Sequence, residues 1–391
     1  MASRKRGNGD GSITQRPDGR WEARITLLSG KRHSHYEATY EQARKWLTAA
    51  LRDRDQGLQL VSDRQTVAAY LASWLVTIKH HVKPRTWLRY EGAIRLHVGP
   101  RLGRIALSRL TPQQLQALYD AKLEESLSHG TVQHLHAVMH HALKDAYRLG
   151  LVPRNVANLV TAPRAEKHEM AVLAPDQVRT LLAAARGERL EALFVLAVTT
   201  GMRQGEMLGL HWRDVDLEAK TLHVRCTLHY IPRGNSQEQC ECDAGRWRLD
   251  TPKSKRSDRH VALSDVVIEA LRAHRARQLV ERLAMGPTWH DHDFVFTRAD
   301  GEPWRGQHVY QRQFLPLLTR AGLPAVRFHD LRHSAVTLAL ALGNPAHAVA
   351  EQVGHSDVSM TWNTYAHVLP GMRAEIAASM DRLLKAEQGN G

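Results

Sequence analysis

The sequence is poor in cysteine, which excludes a fold held together by disulfide bonds. Its 391 residues contain three cysteines, Cys226, Cys240 and Cys242. Three thiols cannot form the disulfide framework that stabilises many small secreted domains, so a cytosolic protein is the simpler interpretation. A Cys-x-Cys pair with one distant cysteine is not a standard zinc spacing. We therefore expect ordinary or mildly redox-sensitive thiols and no structural zinc there.

Long apolar runs are also missing. The longest, near residues 193–198, is far shorter than the roughly 18 residues that a membrane helix needs. The N-terminus MASRKRGNGDGS carries basic residues but no apolar segment, so it is not a secretory signal. Hydrophobic residues nevertheless make up 43% of the chain, enough for packed cores, and the length predicts two or three domains.

Positive charge is plentiful but unevenly distributed. Residues 1–60 carry 12 Lys and Arg against 7 Asp and Glu, a balance of +5, and residues 61–165 carry 14 against 6, a balance of +8. Residues 166–391 carry 28 against 27, a balance of only +1. A basic field attracts polyanions, and neutralising phosphates releases counterions. The concentration of charge in one part of the chain favours nucleic-acid binding over a merely soluble basic surface.

The basic part of the chain divides into a flexible arm and two modules. Residues 1–10 are predicted to be the arm. Residues 11–58 predict three short strands, with a turn at Pro17-Asp18-Gly19, followed by a helix over 40–56. Residues 62–160 predict a helical bundle, because apolar residues recur on one face from Val67 to Ile78 and again from Val132 to Ala146. Thr111 and Pro112 predict the N-cap and first residue of a further helix.

The remaining chain mixes both element types after a linker at 161–171. Residues 172–391 predict a mainly helical domain with a small antiparallel sheet. The strand candidates are residues 221–224, 246–249, 259–263 and 294–296. We predict a buried helix that ends at Gly201, and others that begin at Pro175, Asp265, His308, His329, Pro345 and Met360. The whole chain is therefore predicted to be multidomain and mainly α, with small β elements.

Six polar side chains in this last domain form a set with a common chemistry. They are Arg203, Lys253, His329, Arg332, His355 and Tyr365. Each alone fits an ordinary surface, loop or core role. Together they include neither a carboxylate base nor a metal-ligand set. They suit the binding of an anionic phosphate, because guanidinium groups bind its oxygens bidentately and stabilise the charge that builds in the transition state. A phenol can attack such a centre if nearby cations lower its pKa and a base takes its proton.

The order of motifs TGMRQGE, PKSKRSDR, HDLRHS, GHS and TYAHV resembles the tyrosine recombinases, the phage-integrase family. The resemblance spans about residues 170–370 by motif. It implies that Tyr365 attacks a DNA phosphodiester to form a 3′-phosphotyrosine and release a 5′-hydroxyl. Arg203 and Arg332 would bind the phosphate, and His355 would hydrogen-bond a nonbridging oxygen. His329 would accept the proton or hydrogen-bond near the tyrosine, and Lys253 would be the general acid, with Lys255 as its rival.

The resemblance also implies a setting for this chemistry. Residues 11–58 would be an arm-site DNA-binding domain, residues 62–160 a core-site DNA-binding domain, and residues 172–391 the catalytic domain. No cofactor and no metal are implied. The partners would be double-stranded DNA attachment sites, directionality factors and host DNA-bending factors, with a homotetramer assembled through the C-terminal helix. The protein would be cytoplasmic in a bacterium and associated with the nucleoid when bound to DNA.

Three other functions compete with an integrase. One is an architectural or regulatory DNA-binding protein whose catalytic domain is inactive. Another is a recombinase that resolves plasmid or chromosome multimers, which would usually lack the N-terminal module. A type IB topoisomerase uses similar chemistry, but this chain lacks a long linker before Tyr365. Within FHDLRHS we further predict that Leu331 faces the core, that His333 is structural and that Asp330 pairs with a neighbouring basic residue.

Overall fold

The computed structural model describes residues 11–27, 30, 32–55, 65–164, 171–231, 247–250 and 258–354. The chain divides into two compact units, residues 1–168 and 169–391, and each is described by itself. The mainly helical architecture with small antiparallel sheets confirms the predicted fold class. Across the described ranges, no helix is long and apolar enough to cross a membrane.

The first unit begins with a small antiparallel sheet and one helix. These elements are β1 (Ser12–Gln15), β2 (Trp21–Thr26), β3 (Arg32–Glu37) and α1 (Tyr40–Asp55). The three strands pair in chain order. Ala23 and Ile25 alternate with more exposed residues on β2 and pack with Ala43, Leu47 and Ala50 of α1. The predicted three strands and helix are therefore present, with a core of only a few side chains.

A helical bundle follows in the same unit. Its helices are α2 (Val67–Ile78), α3 (Pro84–Ala93), α4 (Gly99–Leu102), α5 (Pro112–Glu124) and α6 (His129–Arg148). A π-helical stretch joins α3 to α4. The Thr111 side chain accepts a hydrogen bond from the Gln114 backbone N–H, so Thr111 caps α5 as predicted. The apolar stripes predicted on α2 and α6 are buried together in one core.

The second unit is mainly helical, and α8 lies at its centre. Its helices are α7 (Pro175–Ala185), α8 (Glu191–Thr200), α9 (Gln204–Leu208), α10 (Asp265–Met285), α11 (Gly306–His308), α12 (Leu315–Arg320), α13 (Asp330–Ala341) and α14 (Ala346–Val353). A π-helical stretch joins α11 to α12. Nearly every residue of α8 is buried, because its sequence is apolar all round. The helix predicted from Met360 lies outside the described residues.

Five strands of the second unit form two small antiparallel sheets. They are β4 (Val215–Asp216), β5 (Thr221–Val224), β6 (Thr227–Tyr230), β7 (Trp247–Asp250) and β8 (Arg259–Ala262). Within the described residues, β5 lies between β4 and β8, and β6 pairs with β7. The sequence predicts that Lys253 lies between two strands, at or near a hairpin, and Lys253 itself falls outside the described residues. The flanking strands β7 and β8 pair with β6 and β5 respectively.

Residues 294–296 do not form the strand that the sequence predicts. Their side chains are buried, but the backbone pairs only through isolated bridges, from Phe294 to His211 and from Thr297 to Pro303. The chain then turns at once, and Gly301 has a φ of 84°. A short apolar run beside a tight turn can be buried without a neighbouring strand, which is why its pattern resembles that of a strand.

Candidate active site

The site begins where α8 ends. Gly201 has a φ of 63°, in the left-handed region that glycine tolerates, and its backbone N–H closes the helix on the Ala197 carbonyl. A Cβ at this position would lie 2.9 Å from Cγ1 of Val353. The chain therefore reverses close to the end of α14, and Arg203 becomes the N-cap residue of α9.

Arg203 is held between α9 and the end of α14. Its Nη1 donates to Oε1 of Glu206 at 2.7 Å, and its Nη2 donates to the Gly354 carbonyl at 3.1 Å. The Arg203 backbone N–H also donates to Oε2 of Glu206 at 3.0 Å. The Arg203 side chain remains 38% exposed. The guanidinium is thus fixed in direction while an anion from solution can still reach it.

Glu206 is a site residue to which sequence reasoning assigned no role. Its carboxylate is almost fully buried and lies between Arg203 and Arg259, with Nη2 of Arg259 at 3.1 Å from Oε2. Burial by itself would raise the pKa of Glu206, but attraction to Arg259 and Arg203 and their hydrogen bonds outweigh it and lower that pKa. Glu206 is therefore ionised, and its charge orients both guanidiniums.

Arg259 was also missed. It is the first residue of β8 and is buried. Its Nε donates to the Gln352 carbonyl at 2.7 Å. A Cβ at Gly354 would lie 2.8 Å from Nη1 of Arg259, so glycine is needed for this close approach. Arg259 thus ties β8, Glu206 and the C-terminal end of α14 together.

Arg332, on α13, links the chain after α8 to the C-terminal end of α14. It is 4% exposed, and its Nη1 donates to the carbonyls of Gly201 and Val353, both at 2.7 Å. Arg203 and Arg332 therefore contact the carbonyls of Gly354 and Val353, two consecutive residues. These contacts bring together residues that lie more than 100 positions apart along the chain.

His329 precedes α13 as its N-cap residue, so it stands just outside the helix that carries Arg332. The surrounding protein desolvates the imidazole even though the residue stays exposed, and this lowers the pKa of His329 to about 4. Repulsion from His333, Arg332 and Arg203 acts in the same direction, and Asp330 opposes it. The ring is therefore neutral at pH 7 and can accept a hydrogen bond or a proton.

The other residues of FHDLRHS have structural roles. Leu331 is fully buried, as predicted. The Asp330 carboxylate accepts hydrogen bonds from the backbone N–H and the guanidinium of Arg327, which confirms its predicted pairing with a basic neighbour. The ring of His333 packs edge-on against that of His329, with centroids 5.0 Å apart. This contact supports the position of His329.

Half of the predicted site lies outside the described residues. Arg203, His329 and Arg332 are placed in one region of the second unit, whereas Lys253, His355 and Tyr365 fall outside the described ranges, as does Lys255. Gly354, which Arg203 contacts, directly precedes His355. The roles of all six residues stay predictions.

Cys226, the cysteine that lies among the described residues, does not join this site. Cys226 donates its thiol to the Gly209 carbonyl, and burial raises the pKa of this thiol. Cys240 and Cys242 lie outside the described residues. On α6, His136 packs against Tyr119 and His141 against Trp74.

Known proteins are similar to this chain in sequence and in fold. Residues 171–371 match the sequence profile of the Phage integrase family, and residues 66–123 match that of the Phage integrase, N-terminal SAM-like domain. A "Tyrosine recombinase XerC-like" of Caldanaerobacter subterraneus subsp. tengcongensis is 28% identical, over 92% of this chain and 96% of that protein. An "Integrase" of Saccharopolyspora erythraea is also 28% identical, over 96% of both chains.

Solved structures share the fold at lower identity. The Tn1549 transposon integrase in complex with transposon right end DNA has a TM-score of 0.66, at 21% identity, over 82% of this chain and 100% of that one. A lambda integrase tetramer bound to a Holliday junction has a TM-score of 0.57, at 17% identity, over 92% of this chain and 96% of that one. The arrangement of elements in both units is thus a known one.

Proposed function

Since this chain belongs to the phage integrase family and is a tyrosine-type site-specific recombinase, we propose that it cleaves and rejoins DNA through a 3′-phosphotyrosine at Tyr365. The reaction would integrate or excise a phage or another mobile element. The observation that carries the proposal is the meeting of Arg203 and Arg332 at the carbonyls of Gly354 and Val353. Two guanidiniums at one place, immediately before His355, suit the binding of a single phosphate.

The two arginines bind the scissile phosphate in this proposal. The partly exposed guanidinium of Arg203 meets a nonbridging oxygen first, and Glu206 and Arg259 hold it in direction. Arg332 supplies a second positive charge from a largely buried position, where electrostatic interactions are stronger than in water. His355 donates to the other nonbridging oxygen. Together these groups stabilise the charge that builds as the phosphorus becomes five-coordinate.

The covalent step exchanges one phosphodiester for another. The Tyr365 hydroxyl attacks phosphorus, and the neutral ring of His329 accepts its proton or a hydrogen bond from it. The bond between phosphorus and the 5′-oxygen breaks, and Lys253 protonates the leaving oxygen. A 5′-hydroxyl from another strand then reverses these steps and rejoins the DNA. Ester bonds are conserved throughout, so the exchange needs no ATP, and in this proposal the arginines stabilise the charge on the phosphate in place of a metal ion.

The first unit would bind DNA through both of its modules. We propose that residues 11–58 bind arm sites and residues 62–160 bind core sites, because residues 1–165 hold nearly all of the excess positive charge. The sheet of the first module presents exposed basic side chains, and the guanidinium of Arg16 lies over the ring of Tyr36 at 5.2 Å. Residues 172–391 would form the catalytic domain after the linker at 161–171.

We propose a tetramer on two DNA duplexes as the working form, assembled through the C-terminal segment. That segment lies outside the described residues, and its apolar positions recur at helical spacing (Met372, Ile376, Met380). The lambda integrase solved on a Holliday junction is a tetramer, which supports the proposal by likeness. Directionality factors and host DNA-bending factors would be further partners.

A nicked attachment site tests the proposed chemistry. A nick close to the cleavage position lets the cut fragment diffuse away, so the covalent protein–DNA adduct accumulates and is counted on a denaturing gel. The wild type forms the adduct, and Tyr365→Phe forms none. Tyr230→Phe, the same change at another tyrosine of the second unit, is the control and keeps wild-type yield. Arg203→Lys retains the charge but loses bidentate binding, and we expect adduct formation to slow by roughly 10²–10³-fold.

Two results would overturn the proposal. One is a wild-type protein that binds its attachment site but forms no adduct there, which would favour an architectural DNA-binding protein. The other is an adduct that persists in Tyr365→Phe, which would mean that another group is the nucleophile.

A further inference from the structure

Two histidines and a glutamate meet on the surface of the second unit, outside the proposed recombination site. His290 and His292 follow α10, and Glu302 follows the turn at 298–301. One ligand atom from each of the three side chains lies within 4.8 Å of the other two. Imidazole nitrogens with one carboxylate oxygen are the donor set that zinc takes in many three-ligand protein sites.

The distances from the two imidazole nitrogens to Glu302 are close to those between ligand atoms of a tetrahedrally coordinated ion. Nδ1 of His290 lies 3.7 Å from Oε1 of Glu302, and Nε2 of His292 lies 3.8 Å from the same oxygen. Zinc bonds to nitrogen and oxygen are about 2.0–2.1 Å long, so the edge of a tetrahedron around zinc is about 3.3 Å. The two separations from Glu302 must each shorten by about 0.4–0.5 Å, while the two imidazole nitrogens lie within 4.8 Å of each other. Exposed side chains can make such adjustments through rotations of their side-chain torsions.

The backbone already holds the two loops together. The His290 N–H donates to the Asp300 carbonyl at 3.0 Å, and a Cβ at Gly301 would lie 2.3 Å from the His290 carbonyl oxygen. On the other side of the pair, the Trp212 N–H donates to the Asp293 carbonyl at 2.9 Å, directly after His292. The ligand-bearing segments therefore keep their separation without an ion, which lowers the entropic cost of binding one.

The charges around the three ligands favour a cation. Asp291 and Asp300 lie beside them and each pairs with an arginine, Arg282 and Arg298 respectively. Glu302 has the two imidazoles as its ionic partners among the described residues. Arg275, which stacks on Trp212, and Arg282 oppose it, and both line a hollow beside His290 and His292. This hollow measures about 110 Å³, enough for the water that would complete the coordination.

We propose that His290, His292 and Glu302 bind one zinc ion, with water in the remaining position. The ion clips the loop after α10 to the turn at 298–301, and each ligand supplies one lone pair. Imidazole and carboxylate suit zinc and the related first-row ions, whereas magnesium and calcium prefer oxygen ligands alone. This inference is independent of the recombination chemistry, since none of its ligands belongs to the phosphate-binding set.

Zinc binding to the full-length protein tests the proposal. Isothermal titration of the metal-free wild type with zinc chloride measures stoichiometry and Kd. We expect one ion at this cluster, and we expect His290→Ala, His292→Ala and Glu302→Gln each to weaken Kd by at least roughly tenfold, in line with the cost of disturbing metal-site groups. His129→Ala removes an exposed histidine of the first unit and leaves Kd unchanged. Melting temperatures in EDTA that match the wild type show that the variants fold.

Cobalt separates these ligands from the cysteines. Cobalt bound at the proposed cluster shows ligand-field absorption without the charge-transfer band of a thiolate. The melting temperature of the wild type rises with added zinc, and that of Glu302→Gln rises less at the same zinc concentration, because binding to the folded state stabilises it in proportion to the logarithm of [zinc]/Kd. Equal zinc affinity in the wild type and in the His290→Ala/His292→Ala variant would overturn the proposal. A thiolate band from wild-type cobalt protein would overturn it too, by placing the ion on the cysteines.

Discussion

Replacing Arg259 by Met should destabilise the second unit and misdirect Arg203. Methionine keeps much of the side-chain length but removes the charge and the donors to Glu206 and Gln352. Breaking a buried ion pair from one side typically costs about 3–5 kcal/mol, since a charge is left behind in the interior. Glu206 retains Arg203 as a partner, so we expect about 3 kcal/mol. For a unit of this size, that lowers Tm by roughly 6–12 °C.

A double variant separates loss of charge from loss of packing. Glu206→Gln in the Arg259→Met background removes a buried carboxylate that has lost one of its two arginine partners, and we expect it to restore about 1–2 kcal/mol of the lost stability. It should not restore adduct formation on nicked DNA, because Arg203 then lacks its anionic partner. Thermal unfolding followed by fluorescence measures the first effect, and the denaturing gel measures the second. Arg259 is not a major stabilising contact if Arg259→Met melts within about 2 °C of the wild type, and the carboxylate is not costly to leave behind if the double variant is less stable than the single one.

Three further predictions follow from the described residues. Gly201→Ala should lower the free energy of unfolding by more than about 1 kcal/mol, because the residue has a positive φ and its Cβ would meet Val353. Gly187→Ala is the control, since Gly187 has a φ of 80° and open space around its Cβ. An equal loss of stability in both variants would show that the close approach to Val353 does not matter. Desolvation lowers the pKa of buried His274 and that of His329 in the folded state, so the unfolded state binds more protons below about pH 6.5. Stability should therefore fall as the pH drops from 6.5 towards 4. Unfolding midpoints that do not change over this range would contradict this prediction. DNA affinity measured by anisotropy should fall about 10³-fold or more between 50 and 200 mM salt if the basic first unit contacts six or more phosphates, and a flat salt dependence would exclude that mode of binding.

The sequence predicts those features that local pattern determines. The cap at Thr111 and the stripe on α2 depend on residues within a few positions of one another, and both are present. Gly201 also has a local signature, since a glycine after an apolar helix marks its end. From the same signature, Arg203 could be placed beyond the end of that helix and directed towards a cleft.

Features that depend on distant partners were missed. Glu206 and Arg259 are 53 positions apart, and the Gln352 carbonyl that Arg259 contacts is 93 positions further on. No periodicity connects such residues, so a buried carboxylate between two arginines resembles an ordinary charged position in the sequence. The strand β6 was overlooked for another reason, because only two residues separate it from β5. Without β6, the sequence does not reveal the strand with which β7 pairs.

The identity of the DNA-linked residue tests the central claim most directly. The wild-type adduct on nicked attachment-site DNA is digested with trypsin and nuclease, and the peptide that carries a nucleotide is sequenced by mass spectrometry. The account predicts a phosphodiester on the side chain of Tyr365. A nucleotide on another tyrosine, such as Tyr310 or Tyr230, or on a serine, would contradict it.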